Sequence, residues 1–189
     1  MNPMIAVCSR LLFVRVMFIL FLIAMAIAPG APALAQPASI VHEIPQSIRL
    51  QHEENVRVLG DLARDHGGVG RAARAALDLL QRHHARENEY ILPPLTLLPA
   101  IAAGAITKDM SWAIAMADKL KATREEVFFE HAAITEAMND LLNEANLANN
   151  AAAAEFAMGA VADSLSDMEV QEPAAIMVGD AVRTRLATQ

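Results

Sequence analysis

From Ile44 to Leu186 apolar residues return every three or four positions, and runs of β-branched residues are missing. That period is helical, and the dominance of Ala, Leu, Glu and Met agrees with it. The pattern predicts a first helix from about Ser47 to Ala63, entered through Ile44-Pro45 and closed by the glycine run Asp65–Gly70. A second helix spans about Arg71 to Tyr90 and stops at Pro93-Pro94. After a looser stretch, "LTLLPAIAAGAI", and a cap at Thr107-Lys108-Asp109, a short helix near Met110–Leu120 leads into a third that reaches about Glu144. "NLANN" separates it from a fourth, about Ala151 to Val170, which ends before Pro173; a last helix covers about Ala174 to Leu186.

The helices repeat in pairs. "QHEENVRVLGDL" at 51–62 aligns with "EHAAITEAMNDL" at 130–141, 79 residues later. His83, Glu87, Glu89 and Pro93 align with Asp163, Asp167, Glu169 and Pro173, 80 residues later. Two helical hairpins in one register make a four-helix bundle when placed about a pseudo-two-fold axis. The expectation is an all-α fold with an extra C-terminal helix.

Each apolar stripe is interrupted by polar residues. The stripes are Ile48, His52, Val56, Leu59, Ala63; then Ala76, Leu80, His83, Glu87 and Tyr90 or Ile91. The third helix gives Leu120, Val127, His131, Ile134, Met138, Leu141, and the fourth Phe156, Ala160, Asp163, Asp167, Val170. Spacings of three and four place each set on one helix face. His52, His83, Glu87, His131, Asp163 and Asp167 therefore face the expected core, with no Lys or Arg on the stripes to neutralise them. Unpaired buried carboxylates cost many kcal/mol, so a metal ion or a pair of ions is the expected counter-charge. Imidazole with carboxylate suits iron, manganese or zinc. Taken singly, each His also fits an ordinary hydrogen-bonded core residue, and the two Asp fit a solvated helix end. His84, Glu89 and Glu169 point off the stripes, which predicts solvated side chains, and Met116, Met138 and Met158 read as core filler. His42 and His66 fall in an N-terminal arm and a loop.

Composition narrows the chemistry. Residues 1–15 carry Arg10 and Arg15 and no acid, Val16–Ala28 is an unbroken apolar run, and Ala33-Leu34-Ala35 fits a small-x-small cleavage rule. Residues 1–35 read as a secretory signal peptide, 36–46 as an arm and 47–189 as the bundle, in a periplasmic or secreted protein with no membrane partner after cleavage. Removing two arginines and no acid leaves 13 basic residues against 22 acidic, a net charge of −9, which argues against nucleic acid. The sole cysteine, Cys8, lies in the removed part, so neither disulfide nor thiolate chemistry is available.

"IPQSIRLQH", "HHARENEYILPPL", "FEHAAI" and "EPAAIMVGD" resemble the hemerythrin-like, HHE cation-binding domains, over about Ile44 to Leu186. The resemblance implies an up-down four-helix bundle around a non-haem di-iron centre. Its motifs carry a ligand role to His52, to the pair His83 and Glu87, and to His131. The fourth helix departs from the pattern: Asp163, Asp167 and Met168 stand where the family usually has His-x-x-x-Glu-Glu. Asn88 replaces a second Glu and Val127 an extra His. The implied protein binds iron for dioxygen, nitric oxide or iron handling, with manganese or zinc as alternative metals. Two other readings stand beside it: a carboxylate-rich centre that activates dioxygen or peroxide, and a bundle without metal that serves as a structural or partner-binding protein.

Overall fold

A computed structural model describes residues 41–188, and this part of the chain is helical throughout, with short turns. The expected signal segment lies outside the described residues. Helix α1 spans Gln46–Leu62, led in by Pro45. Helix α2 spans Gly68–Arg86 and runs on into a π-helical turn, Glu87–Ile91. A 3-10 turn, Pro93–Leu97, and the short α3, Leu98–Ala102, follow. Helix α4 is unbroken from Trp112 to Leu147, 36 residues, or about 54 Å at 1.5 Å per residue. Helix α5, Ala151–Ser166, is capped by Asn150, whose side chain accepts from the Ala153 N–H. It passes through a second π-helical turn, Asp167–Gln171, straight into α6, Glu172–Leu186.

Three boundaries differ from those the sequence predicts. Helix α2 begins inside the glycine run, where the Asp65 carbonyl packs on Gly70; a Cβ there would lie 1.9 Å from it. The short helix before residue 120 and the third predicted helix are one rod. The fourth helix does not end before Pro173. A proline inside a regular helix lacks a donor and clashes with the carbonyl four residues back. Here the residue just before it, Glu172, bonds instead to the Asp167 carbonyl five residues back, so the widened turn absorbs the ring and the helix continues. Leu92, just before Pro93, bonds to Glu87 in the same way at 2.9 Å. The repeat seen in the sequence thus reappears as two π-helical turns, each opening on an acidic residue and each followed by proline.

The helices pack α1 on α2, α2 on α4, and α4 on both α5 and α6. Two apolar clusters result. One joins Leu59, Ala76, Leu80, Ile134, Met138, Leu141 and Ala157; the other joins Tyr90, Ile91, Leu92, Leu120, Val127 and Ala175. Between them each helix turns polar: Leu80 gives way to His83, His84 and Glu87 before Tyr90, and Val127 to His131 before Ile134. A buried layer of histidine and carboxylate therefore divides two greasy cores. Met138 is core, as expected, but Met158 and Val170 are exposed, the latter because the π turn shifts its register.

Helices α4 and α6 meet at Gly179. A Cβ there would sit 2.3 Å from the Ala117 methyl and 2.8 Å from the Ala113 carbonyl, neither of which can rotate away. Gly179→Val should cost about 1–3 kcal/mol by overpacking and lower Tm by several degrees. Thermal denaturation followed by circular dichroism checks this; a Tm at or above the parent's contradicts the close crossing.

Candidate metal centre

Glu87 lies at the centre of the polar layer, on the first residue of its π turn and 1% exposed. One carboxylate oxygen, Oε2, is 3.3 Å from His52 Nε2; the other, Oε1, is 3.3 Å from His83 Nε2. Neither approach has hydrogen-bond geometry: Glu87 Oε2 and His83 Nε2 are buried without a hydrogen-bond partner, as are His52 Nδ1 and His84 Nδ1. Native interiors rarely leave such atoms unpaired. Two trios share the Glu87 side chain, His52/His84/Glu87 and His83/Glu87/His131, and in each the donor atoms lie within 4.8 Å of one another. Donors held about 2.0–2.2 Å from one ion stand at most about 4.4 Å apart, so small side-chain adjustments would bring either trio onto a common ion.

A cavity of about 20 Å³ opens among these groups, room for about one water-sized occupant. Its walls are Gln51, His52 and Asn55 of α1, Leu80, His83 and His84 of α2, and His131 and Ile134 of α4. Ala160, Asp163, Ser164 and Asp167 close it from the α5 side. Of the six residues singled out in the sequence, His52, His83, Glu87 and His131 come together around the shared carboxylate. Asp163 and Asp167 face the same cavity but belong to neither trio, and both remain partly exposed.

The expectation that His84 is solvated is wrong. It is 8% exposed and lies flat against His52, ring centres 3.6 Å apart and planes within 3°. The tandem His83-His84 stands four and three residues before Glu87, and both spacings share its helix face. That signal was available in the sequence. Glu130 and Glu172 were missed as well. Glu130 Oε2 pairs with His83 Nδ1 at 3.1 Å, and its Oε1 meets Arg86 at 2.9 Å. Accepting from Nδ1–H, Glu130 leaves His83 Nε2 to the cavity, the way an outer carboxylate orients a ligating imidazole. Glu172 Oε1 lies 2.8 Å from His131 Nε2, while Ser164 Oγ lies 2.9 Å from His131 Nδ1. A 3.6-residue period carries the face on from Asp167 to Val170; the wider π turn brings Glu172 inward instead.

Electrostatics follow this layout. Burial alone would raise the Glu87 carboxyl, but the imidazoles of His52 and His83 outweigh it and hold it below the usual carboxylate range. Burial opposes a charge on His83; Glu87 and Glu130 overcome it and lift the ring to about 9. His84, buried and stacked on another imidazole, is pushed down to about 3. Burial, with Glu87 nearby, raises Asp167 to about 7. Asp167 also accepts from the Gln171 side-chain amide.

Set against family models, curated proteins and solved structures, the chain matches none.

In chelator-treated protein, imidazole ¹⁵N NMR should find His83 protonated up to about pH 9 and His84 neutral down to about pH 3. The signs for stability are opposite. The His83 contribution is complete below its ordinary value of 6.5 and fades as pH rises through about 9; that of His84 is complete above 6.5 and fades as pH falls toward 3. Two rings titrating together near 6.5 would contradict the layout.

Proposed function

We propose that this chain is an exported, hemerythrin-like up-down helical bundle that binds non-haem iron, one ion or two, for dioxygen, nitric oxide or iron handling. One observation carries the reading: Glu87 offers a separate oxygen to each of two histidine groups, and donor atoms on both sides are buried without a hydrogen-bond partner. The donor set fits the metal. Imidazoles and carboxylates in a 2-His-1-carboxylate grouping suit ferrous iron with open positions, with manganese or zinc as alternatives. His52, His83, His84 and His131 with Glu87 would hold it, and Asp163 and Asp167 place further carboxyl oxygens at the cavity wall. When bound, iron supplies one-electron chemistry and affinity for small diatomic ligands.

The chain's own residues prepare the site. Glu130 and Arg86 fix the tautomer of His83, and Ser164 and Glu172 fix the plane of His131. The apolar clusters flank the layer, and burial of Glu87 and His131 strengthens the charge interactions they make. Among the described residues no helix is long and apolar enough to cross a membrane.

A second reading, a bundle without metal acting as a structural or partner-binding protein, draws support from His131. Both its nitrogens already have partners, so ligation requires it to release Ser164 or Glu172.

Anaerobic loading with ferrous iron, then oxidation, should give a ligand-to-metal charge-transfer band that His83→Ala abolishes. A colourless protein that retains no iron favours the second reading. Because protons compete with metal for His83 near 9 and Asp167 near 7, affinity should tighten as pH rises from 6 to 9. Isothermal titration at several pH values measures this; affinity that weakens over that range contradicts the assignment.

A further inference from the structure

We propose that a groove between α4, the second π-helical turn and α6 binds a small amphipathic monocarboxylate, its headgroup on Arg124 and its apolar tail against Met168, Pro173, Ile176 and Met177. The groove shares no lining residue with the cavity beside His83, and the proposal does not depend on the metal-binding reading above.

The walls suit an apolar tail. The groove encloses about 240 Å³, and four of its six lining residues are apolar; Arg124 and Glu172 are the other two. Pockets for drug-sized ligands run to about 300–1,000 Å³, so this one takes a shorter chain. Met168 lies on the π turn, and Met177 stands four residues after Pro173 on the same face of α6. Met177 is 69% exposed, and so is 57% of Phe128, which follows Arg124 by one turn of α4. Thioether side chains are flexible, which lets such a groove close on chains of differing length.

Charge selects the headgroup. Lys119 and Lys121 of α4 are paired at 2.6 Å with Glu89 and Asp180, and Arg86 meets Glu126 and Glu130. Arg124 has no ion pair among the described residues. Its helical neighbours three and four positions away are Leu120, Lys121, Val127 and Phe128, none of them acidic. In a chain with more acids than bases, an arginine at the edge of an apolar groove is thus left open to a ligand's anion. A guanidinium forks to carboxylate or to phosphate. Glu172, buried in the same groove with Oε1 at 2.8 Å from His131 Nε2, disfavours a second negative charge, so a singly charged carboxylate fits better than a phosphate.

Octanoate is the probe, added to chelator-treated protein so that the outcome is independent of any metal. Isothermal titration should give one site, with affinity rising about two- to fourfold for each methylene between butanoate and octanoate. Arg124→Gln should weaken octanoate at least about fivefold with Tm unchanged, and 1-octanol, the same tail without the charge, should bind wild type as weakly. Met177→Glu, a like charge on an exposed wall, should abolish binding. Imidazole ¹⁵N NMR should show His131, reached through Glu172, shifting with octanoate while His66 in the α1–α2 loop stays still.

Octanoate that does not bind wild type overturns the proposal, as does octanoate that binds Arg124→Gln equally well or 1-octanol that binds as tightly. A wild-type dimer that Met177→Glu dissociates, and that takes up no octanoate, assigns the groove to a second copy of the chain instead.

Discussion

The structure is organised by one cost: ionisable side chains buried between two apolar clusters. Leu80, Ala157 and Ile134 lie on one side of the layer, Tyr90, Leu120 and Val127 on the other, with His83, His84, Glu87, His131, Ser164 and Glu172 between. Replacing such groups with apolar residues of similar size often stabilises a protein, so a polar layer is weak evidence of stability. Part of the layer compensates itself, as where Glu130 and Arg86 hold His83 and where Ser164 and Glu172 hold His131. Around Glu87 the charges offset one another, but Glu87 Oε2, His83 Nε2, His52 Nδ1 and His84 Nδ1 are left without hydrogen bonds.

The two π-helical turns explain how a helical scaffold builds this layer. A regular helix returns a face every three or four residues; a π turn inserts an extra one. At Glu87–Ile91 the insertion follows the buried Glu87 and leaves Tyr90, Ile91 and Leu92 all buried. At Asp167–Gln171 it turns Val170 outward and Glu172 inward, and lets α6 follow α5 through Pro173 without a loop. The equal placement of the two turns ties the repeat in the sequence to backbone geometry, not only to shared residue types.

Much of this was legible in the residues, for identifiable reasons. The helical period located every major helix, and the polar interruptions in the stripes located His52, His83, Glu87 and His131, because 3.6-residue spacing holds up to the start of each π turn. Beyond that point it fails. Val170 and Glu172 exchange faces, and the helix break expected before Pro173 is a continuation. His84 stands at i, i+3 to Glu87, a spacing that shares its face, although it lies one position off the stripe that His83 occupies. Glu130 acts across helices, on a ring 47 positions away in sequence, and no local pattern carries such a contact. The roles of Asp163 and Asp167 depend on how closely α5 approaches α1 and α2, which the sequence does not encode locally.

The central claim is that Glu87 and the imidazoles around it exist to hold a cation. Anomalous diffraction from crystals of iron-loaded protein tests it most directly. The account predicts an anomalous peak at the iron edge inside the cavity bounded by His52, His83, His84 and His131, in contact with the Glu87 carboxylate. Crystals grown with excess iron that show no anomalous density in that cavity would contradict it.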